Sequence, residues 1–370
     1  MSNRRTPNNQ THTQSDAGQQ GSPSRQLTAV LMLVAAGIIG IALYIALKGD
    51  DPRPPDPLPP PKGGTVTVNE VLEAARTVIK GGTQADLDAA ARLMTEYVQK
   101  NPDDVAVRPL LADTLHRLGR NGEAEMTVDE VLRRPPANAP MLYLKGQLVR
   151  IRNGGDWLAR LRSAAKVATD SPTDASPKIW TDFALELLAL GQDDEAAGYL
   201  EQAAAKTPDD AGVLLGFGEL ALHRGHHDAA VQQLDKSIQR DKANPRTYIA
   251  LAAAHQAGGA PAQAVATLRA GLANCPARGA LNLQLGRMLL ARQDYEPAAA
   301  ALEQAAREAA SNPEAFFLAA QAFYHLGLKH QQGQMGKAMW HIDQSLELAP
   351  GNADYQEWNR RIEDARFVRD

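Results

Sequence analysis

Cysteine is almost absent from this sequence. Cys275 is the only one in 370 residues, which excludes an intramolecular disulfide, a CxxC redox pair and a cysteine-based zinc site. We expect it to pack in a core near the end of a helix. Aromatic residues make up only 5% of the chain, whereas alanine is abundant in the second half. Strands are usually rich in aromatic and β-branched residues, so this balance favours closely packed helices.

Long blocks of one charge sign are also missing. The 39 Lys and Arg residues are nearly balanced by 43 Asp and Glu residues, which leaves a net charge of −4. Nucleic-acid-binding proteins usually carry a basic patch or arm. We therefore predict no nucleic-acid partner.

The sequence contains none of the motifs that most often carry catalysis. It has no P-loop, no GxGxxG after a strand, no HExxH and no GxSxG. The histidines of the 223–227 segment flank Gly225 at an expected turn, and those of the 325–341 segment flank an insertion, so neither group predicts a metal site. We predict that the protein is not an enzyme and that it has no catalytic residues, no metal and no cofactor.

The first 64 residues divide into three segments. Residues 1–26 are polar and predict a disordered tail. Residues 27–47 are 21 residues without a charge, enough to cross a hydrocarbon core of about 30 Å, and predict one transmembrane helix. Residues 48–64 hold seven prolines and predict a stiff linker. Three basic residues precede the apolar run and three follow it, so the basic residues do not set the orientation. A short polar segment before the run and a long domain after it are typical of a signal anchor. We expect a single-pass protein of a bacterial inner membrane, with the bulk of the chain in the periplasm.

From residue 65 onward the sequence repeats. A series of small residues recurs every 34 residues, with one interval of 38, at Ala112, Gly146, Ala184, Gly218, Ala252, Gly286 and Ala320. A second series of mostly alanine keeps the same phase from Ala90 to Ala338. A fixed period of this length predicts stacked supersecondary units.

Each unit predicts two helices joined by a turn. In residues 178–210, Trp180, Phe183 and Leu187 fall on one helical face. Gly191 provides a left-handed end to the first helix, and Asp193 or Asp194 is expected to cap the second. Small residues are needed where the two helices cross, because larger side chains would force their axes apart.

This pattern resembles the tetratricopeptide-repeat (TPR) family. The opening of its motif is similar to Trp180, Phe183 and Ala184, its turn to Gly191-Gln192-Asp193, and its closing proline to Pro208. The resemblance implies an all-α fold: a right-handed TPR-type α-solenoid of about eight helical hairpins over residues 65–352, with a C-terminal capping helix at 353–370. Leu158 at a small position and insertions near residues 171–176 and 327–336 depart from the family pattern.

The resemblance also implies a concave channel, lined by the first helices, that receives an extended or helical peptide. Tyr143, Phe317 and Tyr324 are expected to anchor apolar side chains, and Arg246 and Arg287 to hold an acidic group. On the family pattern, the channel-facing residues are Asp113, Tyr143, Gln147, Arg150, Lys178, Glu219, Arg246, Arg287, Phe317, Gln321 and Tyr324.

These features predict a membrane-tethered scaffold or adaptor that binds protein or peptide partners, in the assembly of an envelope complex. The alternative is a homo-oligomeric structural protein of the membrane without a channel ligand, for which Ala36 and Gly40 could bring two spans close together. An attached catalytic domain is not expected, because the repeats extend to about residue 350.

Overall fold

The computed structural model of this chain describes residues 67–329 and 333–367. The predicted tail, transmembrane segment and linker, residues 1–64, lie outside these ranges. Within them, no helix is long and apolar enough to cross a membrane. A span needs about 20 predominantly apolar residues, and the longest described helix has 17 and carries charges. The predicted location, a single-pass protein of a bacterial inner membrane with its solenoid in the periplasm, is contradicted by this finding.

The described residues form seventeen α-helices, and no strand occurs within 67–329 or 333–367. This number equals eight pairs and one last helix, as the repeat predicts. The first eight helices are α1 (Val68–Ile79), α2 (Gln84–Lys100), α3 (Arg108–Arg117), α4 (Asn121–Leu132), α5 (Ala139–Ile151), α6 (Trp157–Asp170), α7 (Ser176–Ala189) and α8 (Asp193–Ala204). The others are α9 (Ala211–His223), α10 (His227–Arg240), α11 (Pro245–Ala257), α12 (Pro261–Asn274), α13 (Gly279–Ala291), α14 (Tyr295–Glu308), α15 (Pro313–Leu328), α16 (Gln334–Leu348) and α17 (Ala353–Phe367).

The chain divides into two compact units, and the boundary in sequence lies within α6, between Arg160 and Leu161. In the N-terminal unit, helices α1 to α5 pack in chain order around a core that includes Val71, Met94 and Val128. In the C-terminal unit, each helix from α7 to α17 packs against the next one. There, first helices also contact the first helix of the following pair, as in α9 with α11 and α13 with α15. This double contact gives the unit the stacking of a TPR-like solenoid.

The local sequence explains where the helices begin and end. Thr67 and Thr83 form capping boxes with Glu70 and Asp86 at the starts of α1 and α2. Gly191 has a φ of 70° after α7, and its neighbour Gln192 donates its backbone N–H to the carbonyl of Leu187 at 2.9 Å, as predicted for a left-handed helix end.

The predicted cap of α8 is wrong. Gln192 is the N-cap residue and makes no side-chain cap hydrogen bond, and Asp193 and Asp194 lie inside the first turn. Their charges there stabilise the positive end of the helix dipole.

The small residues lie at helix crossings as predicted. Ala112, Ala184, Ala252 and Ala320 have no solvent exposure. At Gly218, an added Cβ atom would lie 2.5 Å from Cγ of Leu234, a fully buried side chain of α10. Only a residue without a Cβ atom fits there without displacing the side chain of Leu234. Cys275 is also buried, at 2% exposure, and desolvation raises the pKa of its thiol, as expected of a core cysteine.

Candidate protein-binding surface

All eleven residues predicted to face the channel lie on the first helix of a pair. Four belong to the N-terminal unit and seven to the C-terminal unit. In the N-terminal unit, Asp113 and Arg150 are exposed, Gln147 is half-buried and Tyr143 is buried at 7% exposure. The guanidinium of Arg150 lies 5.3 Å from the ring centroid of Trp157. Burial of its ring leaves Tyr143 little surface with which to anchor a ligand.

In the C-terminal unit, Arg246 joins three successive first helices. From α11 its guanidinium donates two hydrogen bonds of 2.7 Å to the carboxylate of Glu219 on α9, and one of 3.0 Å to the carbonyl oxygen of Leu185 on α7. The bidentate geometry is the strong form of an arginine–carboxylate pair. These bonds fix one common side of α7, α9 and α11.

A second ion pair continues this side toward the C-terminus. Arg287 on α13 pairs with Glu314 on α15 and donates a further hydrogen bond to Gln284 at 3.2 Å. Lys178 on α7 pairs with Asp182 at 2.7 Å. An acidic ligand at Arg246 or Arg287 would therefore have to compete with a carboxylate of the protein itself.

Half-buried aliphatic side chains lie beside these ion pairs. Residues three or four apart on a helix share a face, so Leu222 lies beside Glu219, Ile249 beside Arg246, and Leu283 and Leu290 beside Arg287. All four side chains, and Leu185, pack against the core while part of their surface stays open to solvent. We call Leu185, Leu222, Ile249, Leu283 and Leu290 the aliphatic row.

One carboxyl group on this side has a perturbed pKa. Burial raises the pKa of Asp182, although the ammonium of Lys178 lowers it, and the nearby carboxylates of Asp210 and Glu186 raise it further. The aliphatic row therefore begins beside a partly desolvated acidic residue.

Phe317 and Tyr324 are covered by the last helix. The ring of Phe317 lies 4.5 Å from that of Tyr355 and 6.2 Å from that of Trp358, and Tyr324 lies 5.5 Å from Trp358. Helix α17 packs on α15 and α16 as the first helix of a further pair would. Its apolar positions, Tyr355, Trp358 and Ile362, have helical spacing, and this signal in the sequence could have revealed the contact.

The described residues hold no group of three or more His, Cys, Asp or Glu side chains that could bind a metal ion. His223 instead contacts Asp193, with 2.8 Å between Nδ1 and Oδ1. His226 is the N-cap residue of α10, and His341 is buried. Of the histidines of the 223–227 segment, only His226 lies between the helices, whereas His223 ends α9 and His227 begins α10.

Known proteins were compared with this chain. Tetratricopeptide-repeat profiles match residues 83–148, 181–245 and 283–353, which together cover just over half of the sequence. No curated protein matches it significantly.

Two solved structures share much of the architecture. The APC/C hetero-tetramer Cut9–Hcn1 superposes with a TM-score of 0.56 at 17% identity, over 80% of this chain and 56% of that chain. The present chain therefore spans little more than half of that relative. A tetratricopeptide-repeat protein from Parabacteroides merdae ATCC 43184 gives 0.54 at 17% identity, over 69% of this chain and 98% of that chain. At such identities, the similarity shows a shared fold.

Proposed function

This chain belongs to the tetratricopeptide-repeat family, and we propose that it is a scaffold or adaptor that binds a protein or peptide partner. The binding surface is the side of the C-terminal unit that carries the aliphatic row. Its role is to hold partners within an assembly, and it catalyses no reaction by itself. TPR proteins generally bind protein partners, which supports this class of function.

The aliphatic row is the observation that carries the proposal. Its five side chains are held by four packed helices, α7, α9, α11 and α13, and each keeps part of its apolar surface open to solvent. Removing such surface from water contributes about 25 cal/mol for each Å². Because the helices are already packed, a partner would gain this energy without having to order the surface first.

The charges beside the row define the kind of partner. Arg246, Arg287 and Lys178 are each paired with a carboxylate of the protein, so this side offers little net charge to a ligand. At the row, the partner segment is therefore one that presents aliphatic or aromatic side chains, in an extended or helical form, rather than a free carboxylate.

The test uses a photoreactive amino acid placed at position 222, within the row, and in a separate variant at position 236. Lys236 is exposed on α10, a second helix. We expect crosslinked adducts with other proteins from position 222 and none of these from position 236. Adducts of equal yield at both positions would contradict the proposed surface.

A pair of substitution variants controls for apolar content. Leu222→Gln/Leu290→Gln removes part of the row and should weaken binding of the crosslinked partner at least about tenfold, a loss of roughly 1.4 kcal/mol. Leu348→Gln/Met126→Gln removes two aliphatic side chains that are 43% and 63% exposed elsewhere and should leave binding unchanged. If position 222 crosslinks only to a second copy of this chain, the homo-oligomeric alternative replaces the scaffold.

A further inference from the structure

Beyond the aliphatic row, the C-terminal unit carries a cluster of aromatic and basic side chains from three helices. Tyr295 begins α14, His325 and Lys329 lie at the end of α15, and Trp358 and Arg361 lie on α17. The imidazole of His325 stacks on Tyr295, with 4.5 Å between the ring centroids and 11° between the planes. It also lies 6.2 Å from the ring of Trp358. His325 thus links the two ends of the cluster.

Aromatic rings hold both cations of the cluster. The ammonium of Lys329 lies 4.9 Å from the ring centroid of Tyr295, and the guanidinium of Arg361 lies 4.8 Å from Trp358 and 5.4 Å from Tyr324. An arginine stacked on a ring keeps its N–H donors at its edge, where they can bind a planar or tetrahedral anion. Stacking also reduces the rotamer entropy that ligand binding would cost.

Within the described ranges, neither cation has a carboxylate partner or a side-chain hydrogen bond. Two of the four acidic residues of α17 act on other groups: Asp354 on the phenol of Tyr355, and Glu363 on Asp343. Lys329 follows the end of α15, where the helix dipole favours a cation, but Arg361 lies in the middle of α17, where no such effect operates.

The electrostatics at His325 agree with this arrangement. Desolvation lowers the pKa of its imidazole, and the charges of Arg361 and Lys329 lower it further, with no carboxylate acting against them. The local field is therefore positive. An anion bound beside these cations would stabilise the protonated imidazole and raise this pKa.

We propose that Arg361 and Lys329, held by the rings of Trp358, Tyr324 and Tyr295, form an anion site for an acidic group of the bound partner. The ligand is a carboxylate or phosphoryl group on a peptide, and the site lies at the C-terminal end of the unit that carries the aliphatic row. This inference rests on the proposed function, because it assigns a second contact to the same partner class. Unlike Arg246 and Arg287, these two cations do not have to be released from a carboxylate first.

The experiment uses the full chain and three synthetic peptides of one neutral sequence, which differ only in a central phosphoserine, glutamate or serine. Binding is measured by fluorescence anisotropy, and the pKa of His325 by NMR, assigned with a His325→Gln variant. We expect the phosphoserine or glutamate peptide to bind at least about fivefold more tightly than the serine peptide and to raise the pKa of His325. The preferred peptide identifies the group as phosphoryl or carboxylate.

Four variants locate the effect. Arg361→Gln and Lys329→Gln should each remove most of the preference for the anionic peptides, whereas Arg361→Lys should keep much of it. Lys236→Gln/Arg269→Gln removes two exposed cations of the second helices and should change nothing. Circular dichroism identifies any Arg361 variant in which α17 no longer folds. In that case the loss of anion preference in Lys329→Gln tests the site.

Equal binding of the three peptides, an unchanged pKa of His325, or an equal loss in the control variant would each overturn the anion site. Those results leave the proposed function intact if position 222 still crosslinks to a partner. If crosslinking at position 222 fails while the anion preference persists, the aliphatic row is not the binding surface, and the proposed anion site is supported.

Discussion

At the scale of single residues, the repeat depends on positions that tolerate no added atom. Gly218 and Gly198 are both glycines within helices, but their surroundings differ. A Cβ atom at Gly218 would lie 2.5 Å from Cγ of buried Leu234, whereas one at Gly198 would meet nothing within 4 Å. Replacing a helix glycine by alanine gains up to about 1 kcal/mol from backbone entropy, while overpacking costs about 1–3 kcal/mol.

The matched variants Gly218→Ala and Gly198→Ala should therefore differ in sign. We expect Gly218→Ala to lower the free energy of unfolding by about 1–2 kcal/mol and Gly198→Ala to raise it by up to about 1 kcal/mol. Urea unfolding followed by circular dichroism measures both. Stabilisation by both substitutions would mean that Leu234 moves aside without cost.

His341 gives stability a dependence on pH. Desolvation lowers the pKa of its imidazole to about 4; Lys337 and Arg307 add to this shift and Glu303 opposes it. Its Nδ1 atom is buried without a hydrogen-bond partner. The folded state thus holds the neutral form, while the unfolded chain binds a proton near the ordinary pKa of 6.5. This contribution to stability is complete above pH 6.5 and is lost as the pH falls from 6.5 to 4.

We therefore expect the wild-type protein to lose on the order of 3 kcal/mol more stability than His341→Leu between pH 7 and pH 4. The two proteins are compared by urea unfolding at several pH values. Parallel pH profiles would show that the buried imidazole is not what destabilises the acidic form. At pH 7 the variant also reports how well leucine fills the space beside Phe316, Phe323 and Trp340, the ring neighbours of His341.

At the scale of elements, α17 does more than present a charged end. Tyr355 is only 7% exposed and its ring packs on Phe317. Truncating a buried aromatic side chain to alanine costs about 3–5 kcal/mol. The helix therefore covers apolar surface of α15 that solvent would otherwise reach.

Tyr355→Ala should loosen this helix selectively. We expect a loss of about 3 kcal/mol in the free energy of unfolding and faster amide hydrogen exchange in α17. Glu357→Ala, at an exposed position of the same helix, should cost less than about 0.5 kcal/mol. Equal effects of the two substitutions would indicate that α17 contributes little through its packed face.

At the scale of the whole molecule, the packing is local along the chain. In the C-terminal unit, each helix contacts helices one or two places away in sequence. The stability of such arrays approximates a sum of unit terms and nearest-neighbour interfaces. A destabilising substitution in one helical pair is therefore expected to destabilise only the neighbouring pairs.

Gly218→Val tests this directly, because a valine cannot fit against Leu234. Hydrogen exchange should become faster in α9 and α10, less so in α8 and α11, and remain unchanged in α1 to α4 of the N-terminal unit. Mass spectrometry of peptic fragments resolves these regions. A uniform rise over the described helices would mean that the protein unfolds as one cooperative body.

The sequence could predict those features of the fold that depend on contacts between residues close together in the chain. Helix number, helix ends such as Gly191 and the burial of the two small-residue series were predictable, because each depends on residues within one period. The cap of α8 was not, because Asp residues favour the first turn of a helix as well as its cap, and α8 begins one residue earlier than predicted, after Gln192. The membrane location relied on hydropathy at residues 27–47, outside the described helices.

For the binding surface, the sequence placed all eleven residues on first helices but could not give their partners. The pairing of Arg246 with Glu219, 27 residues away, and with the carbonyl of Leu185, 61 residues away, depends on how consecutive pairs stack. So does the cover that α17 gives to Phe317.

By itself, the sequence determined a TPR array of eight helical pairs and a last helix, because a 34-residue period and small residues at crossings are local properties. The tertiary structure alone decided which charges are neutralised and which aliphatic side chains remain open. It also brought Lys329, just after α15, and Arg361, on α17, close enough to His325 for both charges to lower the pKa of its imidazole. Such contacts form between side chains distant in sequence, and no periodic pattern records them.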